Sequence, residues 1–215
     1  AAVASGLKML SITDHGPAIP GAPDPIYFSN YPVIPRKQQG ITVLMGVELN
    51  IIDTDGNVDL SERILKKQDI TLASFHKQTY KNAGIEANTN GLIRVIQNPY
   101  IDILGHPDDS DMPIDYEQVV PLAAQTGTIF EVNENSFRSP TLRRNSAENI
   151  RTFVRLCKTY QVPVVIGSDA HYTDVVGEHF RAEKLLIEEE FPENLILNTD
   201  AEKLFAYLQK RREAR

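Results

Sequence analysis

The chain has 215 residues, a length that suits one domain of ordinary size or at most two small ones and buries roughly 70% of the unfolded surface. Its composition, 41% apolar and 24% charged with 12 Gly and 13 Pro, excludes intrinsic disorder, collagen-like repeats and coiled coil. The 22 Lys+Arg against 29 Asp+Glu give a net charge of −7, the wrong sign for a general nucleic-acid binder. The single cysteine, Cys157, excludes an internal disulfide framework, and no apolar run approaches the ~18 residues needed to cross a bilayer.

In chain order, Ala1-Ala2-Val3-Ala4-Ser5-Gly6 reads as the last turns of a helix, with Gly6 as the left-handed residue that ends it. Short apolar, β-prone runs follow at 7–13, 41–50, 70–75, 101–105, 128–132 and 163–167. They are nearly continuous in apolar residues, as expected of parallel strands covered on both faces. Helices are expected in part of 90–97, from Asp115, from Ser146, in part of 174–190 and from Thr199. The starts at 115, 146 and 199 carry capping residues three positions before Gln118, Asn149 and Glu202. Strands alternating with helices predict a parallel α/β fold, barrel or doubly wound.

Two connections stand apart. Residues 17–35 hold six prolines with Tyr27, Phe28 and Tyr31 and no helical period, which reads as a functional loop or as a proline-stiffened excursion. Residues 133–145 are polar and contain Arg138, Arg143 and Arg144. The arginine-rich stretch 210–215 reads as a solvated helix end, and Cys157 as core packing.

The strand ends carry the chemistry. The runs close on Asp14-His15, Glu48-Leu49-Asn50, His76, His106-Pro107, Glu131-Val132-Asn133-Glu134-Asn135 and Asp169-Ala170-His171. In parallel α/β folds that edge is where sites are built. The steps from 15 to 48, 76 and 106 are 33, 28 and 30 residues, about one βα unit each. Imidazole and carboxylate suit Zn, Mn and Fe, and the set exceeds what one tetrahedral ion needs. A multinuclear hydrolytic centre is the reading, in which metal lowers the pKa of water and neutralises a phosphoryl or carbonyl oxygen. Any one of these histidines alone reads better as a buried, hydrogen-bonded side chain; their joint placement favours ligands. Asp14 reads as a carboxylate supporting His15 from behind, His179 as a surface residue, and Arg143 and Arg144 as either a solvated pair or a phosphate clamp.

The motifs Ile12-Thr-Asp-His15-Gly-Pro17, Gly46-Val-Glu48-Leu-Asn50, Ser74-Phe-His76, Gly105-His106-Pro107, Glu131-Val-Asn133 and Gly167-Ser-Asp169-Ala-His171 closely resemble the PHP (polymerase and histidinol phosphatase) superfamily, and within it the YcdX-like phosphatases. The resemblance implies a distorted (β/α)7 TIM-like barrel as a single domain, 1–215. It implies a metal-dependent phosphatase cleaving a small phosphomonoester with a metal-bound hydroxide. Up to three Zn, Mn or Fe ions are implied for the whole enzyme and fewer here. In that pattern Glu48 bridges two metals, His76 and His106 complete one ion, Asp169 binds the other, and His15 with His171 holds a third. Glu48, Asp169 and His171 then carry catalysis, and Asn133, Asn135, Arg143 and Arg144 bind substrate.

Family members begin with a strand bearing His-x-His, which does not occur in this sequence, so a first strand and most of its helix are expected to be missing. The expected partner is a small phosphorylated substrate, in the cytoplasm, with no nucleic acid or membrane and with a barrel edge open to homo-oligomerisation. The alternatives are a degenerate or truncated PHP module without catalysis, and an amidohydrolase-type metal hydrolase, which Glu48 in the bridging position disfavours.

Overall fold

The computed structural model describes residues 1–138 and 142–215, so part of the arginine-bearing connection 133–145 lies outside the described residues. Six parallel strands form one sheet: β1 (Met9–His15), β3 (Ile41–Asn50), β4 (Ile70–Ser74), β5 (Ile103–Leu104), β6 (Ile129–Asn133) and β7 (Val164–Gly167). They are ordered β1-β3-β4-β5-β6-β7, and the two-residue β2 (Lys37–Gln38) pairs antiparallel with β3. The fold is α/β, with the sheet curled as a partial barrel. No pairing joins β1 to β7 among the described residues, yet the sheet's two ends approach: the rings of His15, at the end of β1, and His171, after β7, lie 6.2 Å apart.

Strand alternation divides the barrel interior into two layers. Met9, Leu44, Ile70, Leu72, Ile103, Ile129 and Val165 form an apolar lower layer. On the same faces, further along each strand, stand His15, Glu48, Asn50, Ser74, Glu131 and Asn133. The lower layer is plugged by Leu204, Leu208 and Tyr207 of α7 (Ala201–Glu213). The opposite faces pack against α3 (Ile85–Gln97), α4 (Tyr116–Thr126), α5 (Ser146–Tyr160) and α6 (Phe180–Glu188). Cys157 lies fully buried in that outer core, as expected. No helix is long and apolar enough to cross a membrane among the described residues.

The capping signals are met with small shifts. Asp115 caps α4 by accepting from Glu117 N at 3.0 Å. For α7 the cap is Asp200, one residue after the expected Thr199, accepting from Glu202 N at 2.9 Å. For α5 it is Asn145, in the left-handed region, and Ser146 becomes the first helical residue. The first six residues make one turn rather than a helix end of several. Leu7 N donates to Ala2 O and Gly6 N to Val3 O, with Gly6 at φ +77°, the hydrogen-bond pattern of a Schellman stop.

Two expectations are corrected by packing. The segment 17–35 is not an excursion without helix: α1 (Pro25–Ser29) starts behind an Asp24 cap and is followed by a 3-10 turn. Phe28 and Tyr31 are buried there, so the segment is folded into the core. The second concerns the arginines after 210, which are not a solvated end. Arg211 and Arg215 both pair with the fully buried Asp102. Arg211 also donates to the carbonyls of Thr126 and Ile101, at 2.5 and 2.8 Å. A buried carboxylate without such partners is strongly destabilising, which gives the helix end a reason to turn inward. A short helix, α2 (Glu62–Leu65), lies between β3 and β4.

Candidate metal centre

At the C-terminal mouth of the sheet, one carboxylate gathers three imidazoles. Glu48 Oε2 lies 3.0 Å from His15 Nδ1, and Oε1 lies 3.2 Å from His76 Nε2 and 2.8 Å from His106 Nε2. Ser74 Oγ donates to Glu48 Oε1 at 2.7 Å. The register explains the convergence, since His15 is paired with Glu48 across β1 and β3, and Asn50 with Ser74 across β3 and β4. Gly105 is needed beside them, because a Cβ there would collide with Ser74 Oγ.

The donor atoms of His15, Glu48 and His76 all lie within 4.8 Å of one another. His15 Nδ1 and His76 Nε2 are buried, and neither has a hydrogen-bond partner among the described residues. Orphaned imidazole nitrogens aimed at a carboxylate are what a divalent cation would satisfy, and the N/O donor set fits Zn, Mn or Fe. Burial pushes the Glu48 carboxyl up, but His106, His15 and His76 outweigh it and hold it well below the ordinary range. Contact with Glu48 raises His15, whereas burial and then the Arg143 charge lower His106. A buried anionic carboxylate facing imidazole nitrogens is a cation-binding arrangement.

A second cluster faces it from β6 and β7. Asp169 Oδ2 accepts from Asn133 Nδ2 at 3.3 Å, Asn135 Nδ2 at 3.2 Å and Arg143 Nη2 at 3.2 Å. Arg143 Nη1 also donates to Ser136 Oγ at 2.9 Å. His171 is exposed; its Nδ1 lies 3.0 Å from the Asp169 carbonyl and 3.6 Å from its carboxylate. His106 and Asp169 both hold positive φ, +27° and +47°, a cost of roughly 1–3 kcal/mol each that tends to collect at functional positions.

Glu131 links the two clusters. Its Oε2 accepts from His106 N at 2.8 Å and from Asn133 Nδ2 at 3.1 Å. Burial, then the charges of Asp169 and Glu48, push it up to about 8. Gly167 makes room for it, since a Cβ there would collide with Glu131 Oε1.

The remaining expected residues lie apart from these clusters. Arg144 turns away to pair with Asp111 at 2.9 Å and is exposed. Asp14 points to the other side of β1 from His15 and accepts from Tyr27 OH at 2.8 Å. His179 is exposed and precedes α6. Sequence reasoning noted Asn50, Ser74 and Glu131 in the motifs but gave them no role. Asn50 and Ser74 stand two residues from the candidate ligands Glu48 and His76, and Glu131 two from Asn133, and that spacing is the signal that marks them.

No family model matches the chain. It is 42% identical over 206 residues to a probable phosphatase of Clostridium novyi, covering 96% of this chain and 84% of that protein. A probable phosphatase of Caldanaerobacter subterraneus is 44% identical over 209 residues, covering 97% and 82%. One from Acetivibrio thermocellus is 42% identical over 212 residues, covering 99% and 87%. Among solved structures, a histidinol phosphate phosphatase of Lactococcus lactis, complexed with zinc, L-histidinol and phosphate, superposes with a TM-score of 0.55 at 19% identity, covering 89% of this chain and 85% of that one. A chain of an archaeal ribonuclease P structure with mature tRNA gives 0.58 at 16%, covering 95% and 81%. Both likenesses concern the fold. With three relatives above 40% identity across more than four-fifths of their length, the chain belongs to the family of these probable phosphatases.

Proposed function

We propose that this chain is the metal-binding catalytic domain of a PHP-type phosphatase that hydrolyses a small phosphomonoester. The observation that carries the reading is Glu48, a buried carboxylate with three imidazole nitrogens within 3.2 Å, two of them without a hydrogen-bond partner among the described residues. Probable-phosphatase relatives and a zinc-containing phosphatase of the same fold support it.

In this reading His15, Glu48, His76 and His106 hold divalent cations, and Asp169 and His171 extend the set towards a multinuclear centre. Bound cations would supply Lewis acidity and an activated water. The protein's own contribution is placement. Arg143 presents a guanidinium to phosphoryl oxygens with planar, bidentate geometry, steered by Ser136 and Asn133. Asn133 and Asn135 offer amide N–H groups on the same side. Glu131, largely protonated at neutral pH, adds no second buried negative charge between Glu48 and Asp169. The gap between β1 and β7 is read as the place of a further parallel strand of a seven-unit barrel.

The test is hydrolysis of p-nitrophenyl phosphate by the metal-loaded protein, together with metal content by plasma emission. Activity that falls to background on chelation and returns with Zn or Mn supports the reading. A protein that retains no metal after gel filtration would falsify it.

A further inference from the structure

Asn50 is fully buried, and its amide is held at both ends. Its Nδ2 donates to Asp59 Oδ2 at 2.6 Å and to the Gly16 carbonyl at 3.1 Å. Asp59 is fixed as an acceptor, because backbone N–H groups of Asn50 and Ala18 donate to it at 2.9 and 3.0 Å. The close approach of Gly16 has no room for a side chain, since a Cβ there would strike the Asp59 carboxylate. With two acceptors on one side, the amide nitrogen must face them, so the orientation follows from chemistry rather than from choice.

The Asn50 oxygen therefore faces the other way, 2.7 Å from His76 Nδ1. An amide oxygen only accepts, so His76 Nδ1 must carry a proton. In the neutral ring Nε2 is then the unprotonated nitrogen, and it points at Glu48 Oε1, 3.2 Å away. Two electron-pair donors face one another across a distance that a cation would bridge.

We propose that Asn50, gripped by Asp59 and the Gly16 carbonyl, is a positioning residue that locks His76 in the Nδ1–H tautomer and so sets the divalent-cation affinity of the centre. The proposal rests on the metal-centre reading above. It gives the connection around Asp59 a role at a distance, because the hydrogen bonds of Asp59 among the described residues go to Ala18 and Asn50 and to none of the candidate ligands. It also ties together the segment that follows His15 and the strand that carries Glu48.

The test uses the full chain, stripped of metal, with 15N-labelled histidine. Long-range 1H–15N correlation reads the His76 tautomer directly, and zinc affinity is read by competition with a chromophoric chelator. The wild type should show the Nδ1–H form. Asn50→Leu should weaken zinc 10–100-fold, the range usual for loss of such a supporting partner. Asp59→Asn, the gentler change, should weaken it about 3–10-fold with the thermal midpoint nearly unchanged. An Nε2–H ring in the wild type overturns the proposal, as does zinc affinity within twofold of wild type in both variants. If zinc binding is abolished by Glu48→Gln yet unchanged in Asn50→Leu, this inference alone falls. If the wild type binds no zinc at all, the centre falls with it.

Discussion

Two carboxylates face each other across the mouth of the sheet, in opposite company. Glu48 is wrapped by three imidazoles and a hydroxyl, whereas Asp169 is wrapped by two amides and a guanidinium. Imidazole nitrogens can yield their lone pairs to a cation, but a guanidinium cannot. In the metal-centre reading proposed above, the first cluster is the one that would receive positive charge from outside. The second already contains positive charge, in Arg143, well placed to meet an anion. Glu131 lies between them, and burial with the charges of Asp169 and Glu48 pushes its pKa up to about 8, which disfavours a further negative charge there.

Removing the carboxylate at the heart of the first cluster should have the largest effect. Glu48→Gln should lose retained metal and reduce phosphatase turnover at least 10⁴-fold, about 5.5 kcal/mol of transition-state stabilisation. Plasma emission and p-nitrophenyl phosphate assays check both, and full metal retention would dissolve the contrast.

Next comes the residue between the clusters. Glu131 has its folded pKa raised to about 8, above the unfolded value, so the proton-bound form is favoured by folding. Its penalty is absent at pH 4 and grows as pH rises towards 8, where the unfolded chain ionises and the folded one resists. In chelated protein, Glu131→Gln should leave stability unchanged at low pH. At pH 9 it should add on the order of 3 kcal/mol. Urea melts at the two pH values measure the difference; equal gains at both would mean that charge is not the cause.

Arg143→Ala should then cost about 100-fold in kcat/KM, close to 2.7 kcal/mol, while metal content stays at the wild-type level. If the metal leaves with Arg143, the two clusters are one. Arg144→Ala sets the lower bound: its exposed pair with Asp111 should leave the thermal midpoint unchanged within error, with kinetics unchanged.

The strands and their order of helices were legible because parallel strands announce themselves as apolar runs, and β3 starts and ends where the run 41–50 does. The histidines and acids at the strand ends were legible for the same reason, since a polar residue closing an apolar run is conspicuous. The two-layer interior was less so. Leu44, Gly46, Glu48 and Asn50 share one face and Val43, Met45, Val47 and Leu49 the other, but the lower half of both faces is apolar, which hides the alternation. Asn50 drew no role because amides have no metal signature; its meaning lies in three partners up to 34 positions away. Arg143 and Arg144 are adjacent and alike in sequence, and only backbone direction separates them. The helix behind Asp24-Pro25 had its signal in that dipeptide, overlooked among the prolines.

The pairing of Asp102 with Arg211 and Arg215 has a consequence for the order in which the molecule can be completed. The arginines follow their carboxylate by 109 and 113 residues. Without them, the Asp102 carboxylate at the entrance to β5 keeps only the Thr71 N–H and hydroxyl as donors, at 3.2 Å each, and no opposite charge. Sequence more than a hundred residues downstream thus supplies the charge that lets the central strands bury Asp102, at the end of the sheet opposite the mouth where Glu48 gathers its histidines.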